Sequence, residues 1–151
     1  MINNRRVFLK GTLIGSLFGI GMGSLLKPIR LLAEWPTERF GANDVKTALG
    51  GDEGNASTNI TVKTPDIAEN GAVVPVTVES DLPNIESISI LVKENQRPLS
   101  AVFILGPGVL PNIQTRIKMA KTSDVIAVVK SGDKHFTTKK EVKVTIGGCG
   151  G

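Results

Sequence analysis

The segment Gly147-Gly148-Cys149-Gly150-Gly151 holds the only cysteine of the 151 residues, bracketed by two glycines on each side. Four glycines in five positions have no side chain to bury, and their backbone entropy opposes any single conformation, so a flexible arm is expected at 147–151. At about 3.3 to 3.6 Å per extended residue, Cys149 reaches roughly 10 Å beyond Ile146, on a stalk slim enough for a narrow cleft. Such a thiol lacks what activates an enzyme's own nucleophile: a helix N-terminus, a fixed imidazole or a neighbouring cation, while a terminal carboxylate disfavours the thiolate. The chemistry left to Cys149 is covalent attachment of a cargo that is loaded, altered and released in the active sites of partner enzymes. Those enzymes supply the cations and metals. No catalytic residue is assigned to this chain, and the glycines Gly147, Gly148, Gly150 and Gly151 provide reach and clearance.

The compartment bears on that reading. Asn4-Arg5-Arg6-Val7-Phe8-Leu9-Lys10 is a charged head, and Gly11 to Leu26 is an uncharged, mostly apolar run with five glycines. This is signal-peptide architecture. A spanning helix needs about 20 apolar residues, and each glycine costs roughly 1 kcal/mol against alanine in a helix, so cleavage near Ala33 is expected rather than permanent anchoring. Arg5, Arg6, Phe8, Leu9 and Lys10 resemble the twin-arginine export signal, departing from it at Asn4, where serine or threonine is commoner. That route carries folded proteins, and periplasmic localisation is expected. An exported, unpaired thiol is liable to oxidation or mixed disulfides, so its retention needs a reason. This weighs against the main alternative, a noncovalent β-sandwich assembly or binding subunit with an incidental thiol. A thiol redox enzyme is weaker still, because no second cysteine can resolve a mixed disulfide.

The charge balance removes another class. The net charge is +4, but residues 1–33 contain five bases and no acid, so the remainder holds 13 bases against 14 acids, net −1. A nucleic-acid partner is not expected. One cysteine and one histidine exclude an intrachain disulfide and a Cys/His-rich metal cluster, and no metal or other cofactor is expected. His135 reads as an ordinary strand or hairpin side chain, and Trp35 as a packing residue. Arg97 and Arg116 are candidates for recognising an anionic cargo or a partner, although Arg116 alternates with Thr115 and Ile117 as a solvent-facing strand residue does. Gly106-Pro107-Gly108 lacks the spacing and lysine of a phosphate-binding loop.

The elements that position the arm follow from periodicity. Residues 34–58 read as an N-terminal helical segment and linker. Phe40, Val45, Ala48 and Leu49 share a helical face, Gly50-Gly51 stop it, and the polar stretch from Gly51 to Asn59 reads as a surface loop. From 59 to 146 the period becomes two: Ile60 and Val62; Val74, Val76 and Val78; Ile88, Ile90 and Val92; then Leu99–Leu105, Ile113–Met119, Val125–Lys130, Lys134–Thr138, and Val142, Val144 and Ile146. Lys139-Lys140 reads as a solvated turn between the last two. Short turns and no helix-length crossovers predict antiparallel sheets packed face to face. The expected fold class is therefore all-β, an immunoglobulin-like antiparallel β-sandwich with a short N-terminal helical segment and a flexible C-terminal arm. Pro75, lacking an N–H, is expected at an edge or bulge.

The arm, the twin-arginine-like leader and the small β domain together resemble the SoxY family, the sulfur-carrying subunit of the bacterial thiosulfate-oxidising system. Its members end in the motif found here at Gly147–Gly151, with the carrier cysteine at Cys149. The resemblance implies a heterodimer with a second small β subunit, SoxZ, in the periplasm, covering an edge or face of the sandwich. It implies transient visits to a c-type cytochrome complex, SoxAX, which couples thiosulfate to the cysteine, and to a dimanganese thiohydrolase, SoxB, which releases sulfate. A sulfane dehydrogenase then acts in some systems, while others divert the remaining sulfur to storage. A sulfur, sulfonate or thiosulfonate adduct on Cys149 is expected, with no resident cofactor.

Overall fold

Valines at every second position build the centre of the smaller of two sheets. In β4 (Val74–Ser80), Val74, Val76 and Val78 are fully buried, while Pro75 and Thr77 turn outward. The structure, a computed structural model, describes residues 37–145, all within one compact unit. The leader at 1–33 with Arg5, Arg6, Phe8, Leu9 and Lys10, the packing reading of Trp35, and the arm at 147–151 with Cys149 lie outside the described residues.

The remaining strands are β1 (Asn55–Ala56), β2 (Ile60–Lys63), β3 (Ile67–Ala68), β5 (Ile85–Val92), β6 (Leu99–Ile104), β7 (Asn112–Ile117), β8 (Ser123–Ser131) and β9 (Lys134–Val144). The larger sheet runs β1-β9-β8-β5-β6, with β3 also on β9, and the smaller runs β2-β4-β7. Ile88, Ile90, Val92, Val125, Ala127, Val129 and Val142 from the larger sheet meet Ile60, Val74, Val76, Val78 and Ile117 from the smaller. Each such valine or isoleucine contributes about 1.5–3 kcal/mol on burial, so the expected all-β sandwich is held by its alternating residues without a disulfide.

The N-terminal helical segment forms two short helices, α1 (Thr37–Gly41) and α2 (Val45–Ala48). Asp44 caps α2 by accepting the Thr47 N–H at 2.8 Å, and this bond holds its carboxyl below the usual carboxylate range. Gly50 and Gly51 take φ of 74° and 92°, a region that favours glycine, and so turn the chain away after the helix. Ala42, Ala48 and Leu49 pack with Leu91, Leu99 and Val128 on the outer face of the larger sheet. That cover explains why the whole run from Ile88 to Val92 is buried, although alternation assigns half of it to solvent.

Two details depart from the sequence reading, and a third, the edge expected for Pro75, takes a local form. Lys139-Lys140 is no turn: the two predicted C-terminal strands are one strand of 11 residues, β9. Lys139 pairs with Asp124 at 3.4 Å and Lys140 with Asp66 at 3.0 Å, so both ammonium groups stay at the surface while the backbone pairs with β8. The stretch read as a loop from Gly51 to Asn59 contains β1, and both β1 and β3 pair with β9 in parallel. They add two-residue parallel pieces to an otherwise antiparallel framework. Pro75 sits in the middle strand of its sheet, opposite Arg116 of β7, but β2 reaches only as far as Thr77, so the proline lies where β4 is locally an edge.

Candidate functional site

Thr145 is the last described residue, and the arm carrying Cys149 follows it. The backbone at this root is bonded on both sides of β9. The Lys143 N–H donates to the Asp66 carbonyl at 3.0 Å and the Thr145 N–H to the Ala68 carbonyl at 3.1 Å. On the other side the Val144 N–H donates to the Thr122 hydroxyl oxygen at 3.0 Å, and that hydroxyl lies 3.5 Å from the Val144 carbonyl. The strand is therefore ordered to its final residue.

Two loops form a collar around the root. Gly71, buried between β3 and β4, accepts the Met119 N–H at 2.7 Å. A Cβ there would lie 2.4 Å from the Met119 carbonyl oxygen and 3.0 Å from Val144 Cγ1, so only glycine permits this approach. The facing loop is pinned by Asn95, which donates to the Lys118 carbonyl at 2.8 Å and accepts the Ala120 N–H at 3.0 Å. Ser123 accepts the Glu94 N–H at 3.0 Å, and Lys121 pairs with Glu94 at 3.0 Å. Ile67 and Val73 stand on the outside of the collar, 58% and 49% exposed.

His135 lies at the opposite end of β9, where its Nδ1 meets Asp52 Oδ2 at 2.7 Å. The Asp52 carboxyl is held below the usual range by His135 first and by the Gly54 N–H second. Gly54 has φ 74°, and a Cβ on it would lie 3.0 Å from the His135 carbonyl oxygen. This cluster ties the linker to the β8–β9 hairpin. At about 3.3 Å per strand residue, His135 is roughly 30 Å from Thr145, whereas Cys149, four residues further on, reaches at most about 14 Å from it. The imidazole therefore cannot serve as base for the thiol.

Arg97 is exposed in the turn between β5 and β6, and Arg116 is exposed on β7. The structure places neither in a pocket with buried polar partners. Sequence reasoning missed Gly71, Thr122 and Asn95, whose roles depend on approaches between distant segments; glycine and asparagine in turns were the only local signal. It also missed an apolar cleft of about 480 Å³ between α2 and β8–β9, lined by Val45, Leu49, Ala56 and Ile126. Among the described residues, no group of three or more histidines and carboxylates is placed to hold a metal ion, and no helix is long and apolar enough to cross a membrane.

Comparison with known proteins bears on the arm as well as the body. The family model described as "Sulfur oxidation protein SoxY" matches residues 45–149, through the cysteine itself. The sulfur carrier protein SoxY from Chlorobium limicola f. thiosulfatophilum is 42% identical, with 66% of this chain and 92% of that chain covered and a TM-score of 0.59. Two structures of superoxide reductase (neelaredoxin) from Ignicoccus hospitalis are 17% and 20% identical, each with a TM-score of 0.52. They cover 70% and 73% of this chain and 91% and 92% of their own, and share the fold. No curated protein sequence matches the chain. With the family model spanning the sandwich and reaching Cys149, this chain belongs to the SoxY family of sulfur oxidation proteins.

Proposed function

We propose that this protein is a periplasmic sulfur carrier that holds thiosulfate-derived intermediates covalently on Cys149 while separate enzymes act on them. The observation that carries the reading is the single cysteine, set between paired glycines and within the family match, a short distance beyond a strand end bonded on both sides. The named function of the Chlorobium protein supports it. The 30 Å separation of His135 from the root, estimated from strand rise, supports a thiol activated by its partners.

In the first step the Cys149 thiol and thiosulfate form a sulfur–sulfur bond. One proton leaves the thiol, and two electrons pass to a c-type cytochrome complex of the SoxAX kind. Water then attacks the terminal sulfone at a dimanganese thiohydrolase of the SoxB kind. Sulfate and two protons depart, and a persulfide anion remains on the carrier. A sulfane dehydrogenase, where present, oxidises that sulfur in place to a sulfonate, taking three oxygens from water and passing six electrons to its own redox centres as six protons leave, and a second hydrolysis releases sulfate and the free thiolate. A SoxZ-like β subunit is the lasting partner. Contacts with the enzymes are weak, because each must release the carrier after its step.

Replacing Cys149 by serine keeps size and polarity but removes the attachment atom. Thiosulfate-dependent turnover in the reconstituted system is expected to fall to background, with unchanged circular dichroism and partner association. Turnover equal to wild type would reject the covalent role and favour the noncovalent assembly subunit.

A further inference from the structure

We infer that Asn70 is a self-modifying site: when the collar opens, its side-chain amide cyclises onto the Gly71 nitrogen and reopens as isoaspartate, and the product keeps the collar open. Water is the only co-reactant. The chemistry at Asn70 is independent of the carrier reading of Cys149.

The sequence supplies the reacting pair. Asn70 is the only asparagine of the chain followed by glycine, and a residue without a side chain leaves its own amide nitrogen unhindered and its backbone free to turn. Asn70 is exposed in the turn between β3 and β4, so water reaches it, whereas Gly71 is buried. Among the described residues no hydrogen bond engages the Gly71 N–H. In ring closure the Gly71 nitrogen bonds to Cγ of Asn70, and ammonia leaves with the side-chain nitrogen and the proton of the Gly71 amide. Water then opens the succinimide. Attack at the side-chain carbonyl gives aspartate; attack at the backbone carbonyl gives isoaspartate, in which the main chain runs through Cβ and is longer by a single atom. Neither step transfers electrons.

The fold sets when this happens. In the closed collar Asn70 Oδ1 accepts the Ala72 N–H at 2.9 Å, the Asn70 carbonyl accepts the Val73 N–H at 3.3 Å, and the Gly71 carbonyl accepts the Met119 N–H at 2.7 Å. These bonds hold the side chain and the peptide units on both sides of the reacting nitrogen, so cyclisation waits for local opening. The product does not fit back. A carbon added to Gly71 would lie 2.4 Å from the Met119 carbonyl oxygen, and an extra main-chain atom just before Gly71 displaces it from a contact without slack. The root of the arm then loses one of its walls, and the tether of Cys149 loses a fixed origin as the protein ages.

The test holds the full-length protein in buffer for weeks and follows its asparagines by peptide mapping, with fragmentation that distinguishes isoaspartate from aspartate. Conversion is expected at Asn70 ahead of every other asparagine. It should be about tenfold faster in urea than in the folded chain, which corresponds to about 1.4 kcal/mol of opening. Asn95→Ala removes the two bonds that pin the loop on either side of Met119. With its fold checked by circular dichroism, it is expected to speed conversion in the folded state about fivefold, the effect of losing roughly one net hydrogen bond. The isolated isoaspartate form should show a lower urea midpoint and faster amide exchange at Met119. Asn70→Ser keeps an oxygen for the Ala72 N–H but cannot cyclise, and the same incubation should change neither property. An Asn70 amide that outlasts the other asparagines would overturn the inference. So would equal rates in folded and unfolded chains, a rate in the folded state unaltered by Asn95→Ala, or an isoaspartate form with the wild-type midpoint. Each of these results leaves the carrier reading of Cys149 standing.

Discussion

At one end of the sandwich β9 finishes between Ala68 and Thr122, and a glycine is packed so closely that a single added carbon would collide with the Met119 carbonyl. At the other end the β6–β7 loop runs through Gly106-Pro107-Gly108 into Val109 and Leu110, and Leu110 is 80% exposed. A Cβ on Gly108 would meet open space, and that glycine answers only to its φ of 79°. A groove of about 670 Å³ opens there beside Leu82, Ile104 and Leu105. Both ends are made of turns from the same two sheets, so their difference is not a consequence of the fold. The tightest approach among the described glycines, at Gly71, lies where the reach of Cys149 begins, and a tether of so few residues is useful only if its origin is fixed.

Substitutions at the two ends should differ accordingly. The largest loss of stability is expected from Gly71→Ala, where the Met119 backbone must shift; overpacking of this kind costs about 1–3 kcal/mol, read as a lower urea midpoint. An unchanged midpoint would mean that the collar yields easily. Next comes Thr122→Val, which keeps the shape but removes the hydroxyl that accepts the Val144 N–H, at a cost of about 1 kcal/mol. Amide exchange at Val144 is expected to accelerate, and Thr122→Ser should restore protection.

The Asp52–His135 contact predicts a smaller, pH-dependent effect. The carboxyl is held below its ordinary value in the folded chain. It therefore adds stability above the unfolded carboxylate pKa, about 4, and loses that contribution as pH falls through the lower native value. Thermal midpoints of wild type and Asp52→Asn should differ slightly at pH 6 and converge in acid. A gap that widened in acid would contradict this sign. Least of all, Leu110→Ser should change stability by no more than about 0.5 kcal/mol.

The same comparison explains what the sequence makes legible. Val74, Val76 and Val78 announce their strand because burial on one face forces a period of two, and the glycine-bracketed Cys149 carries the proposal of covalent attachment because little else suits that setting. Leu91 and Val128 do not disclose that they are buried, since their cover comes from helices some 40 to 80 residues earlier in the chain. Lys139 and Lys140 suggest a turn to any reading by polarity, yet a strand tolerates both when Asp124 and Asp66 lie beside it. The collar was the least legible part. Gly71 and Met119, like Thr122 and Val144, are joined by backbone geometry between separate segments, and no local pattern encodes such approaches.

The central claim is that Cys149 bears the sulfur while other proteins perform the reactions. Intact-mass analysis of the protein purified from cells oxidising thiosulfate, followed by peptide mapping without reductant, tests it most directly. The account predicts added sulfur, sulfonate or thiosulfonate on Cys149, removed by reduction and absent from cells grown without a reduced sulfur source. A thiol that stays uniformly unmodified during active thiosulfate oxidation would contradict it.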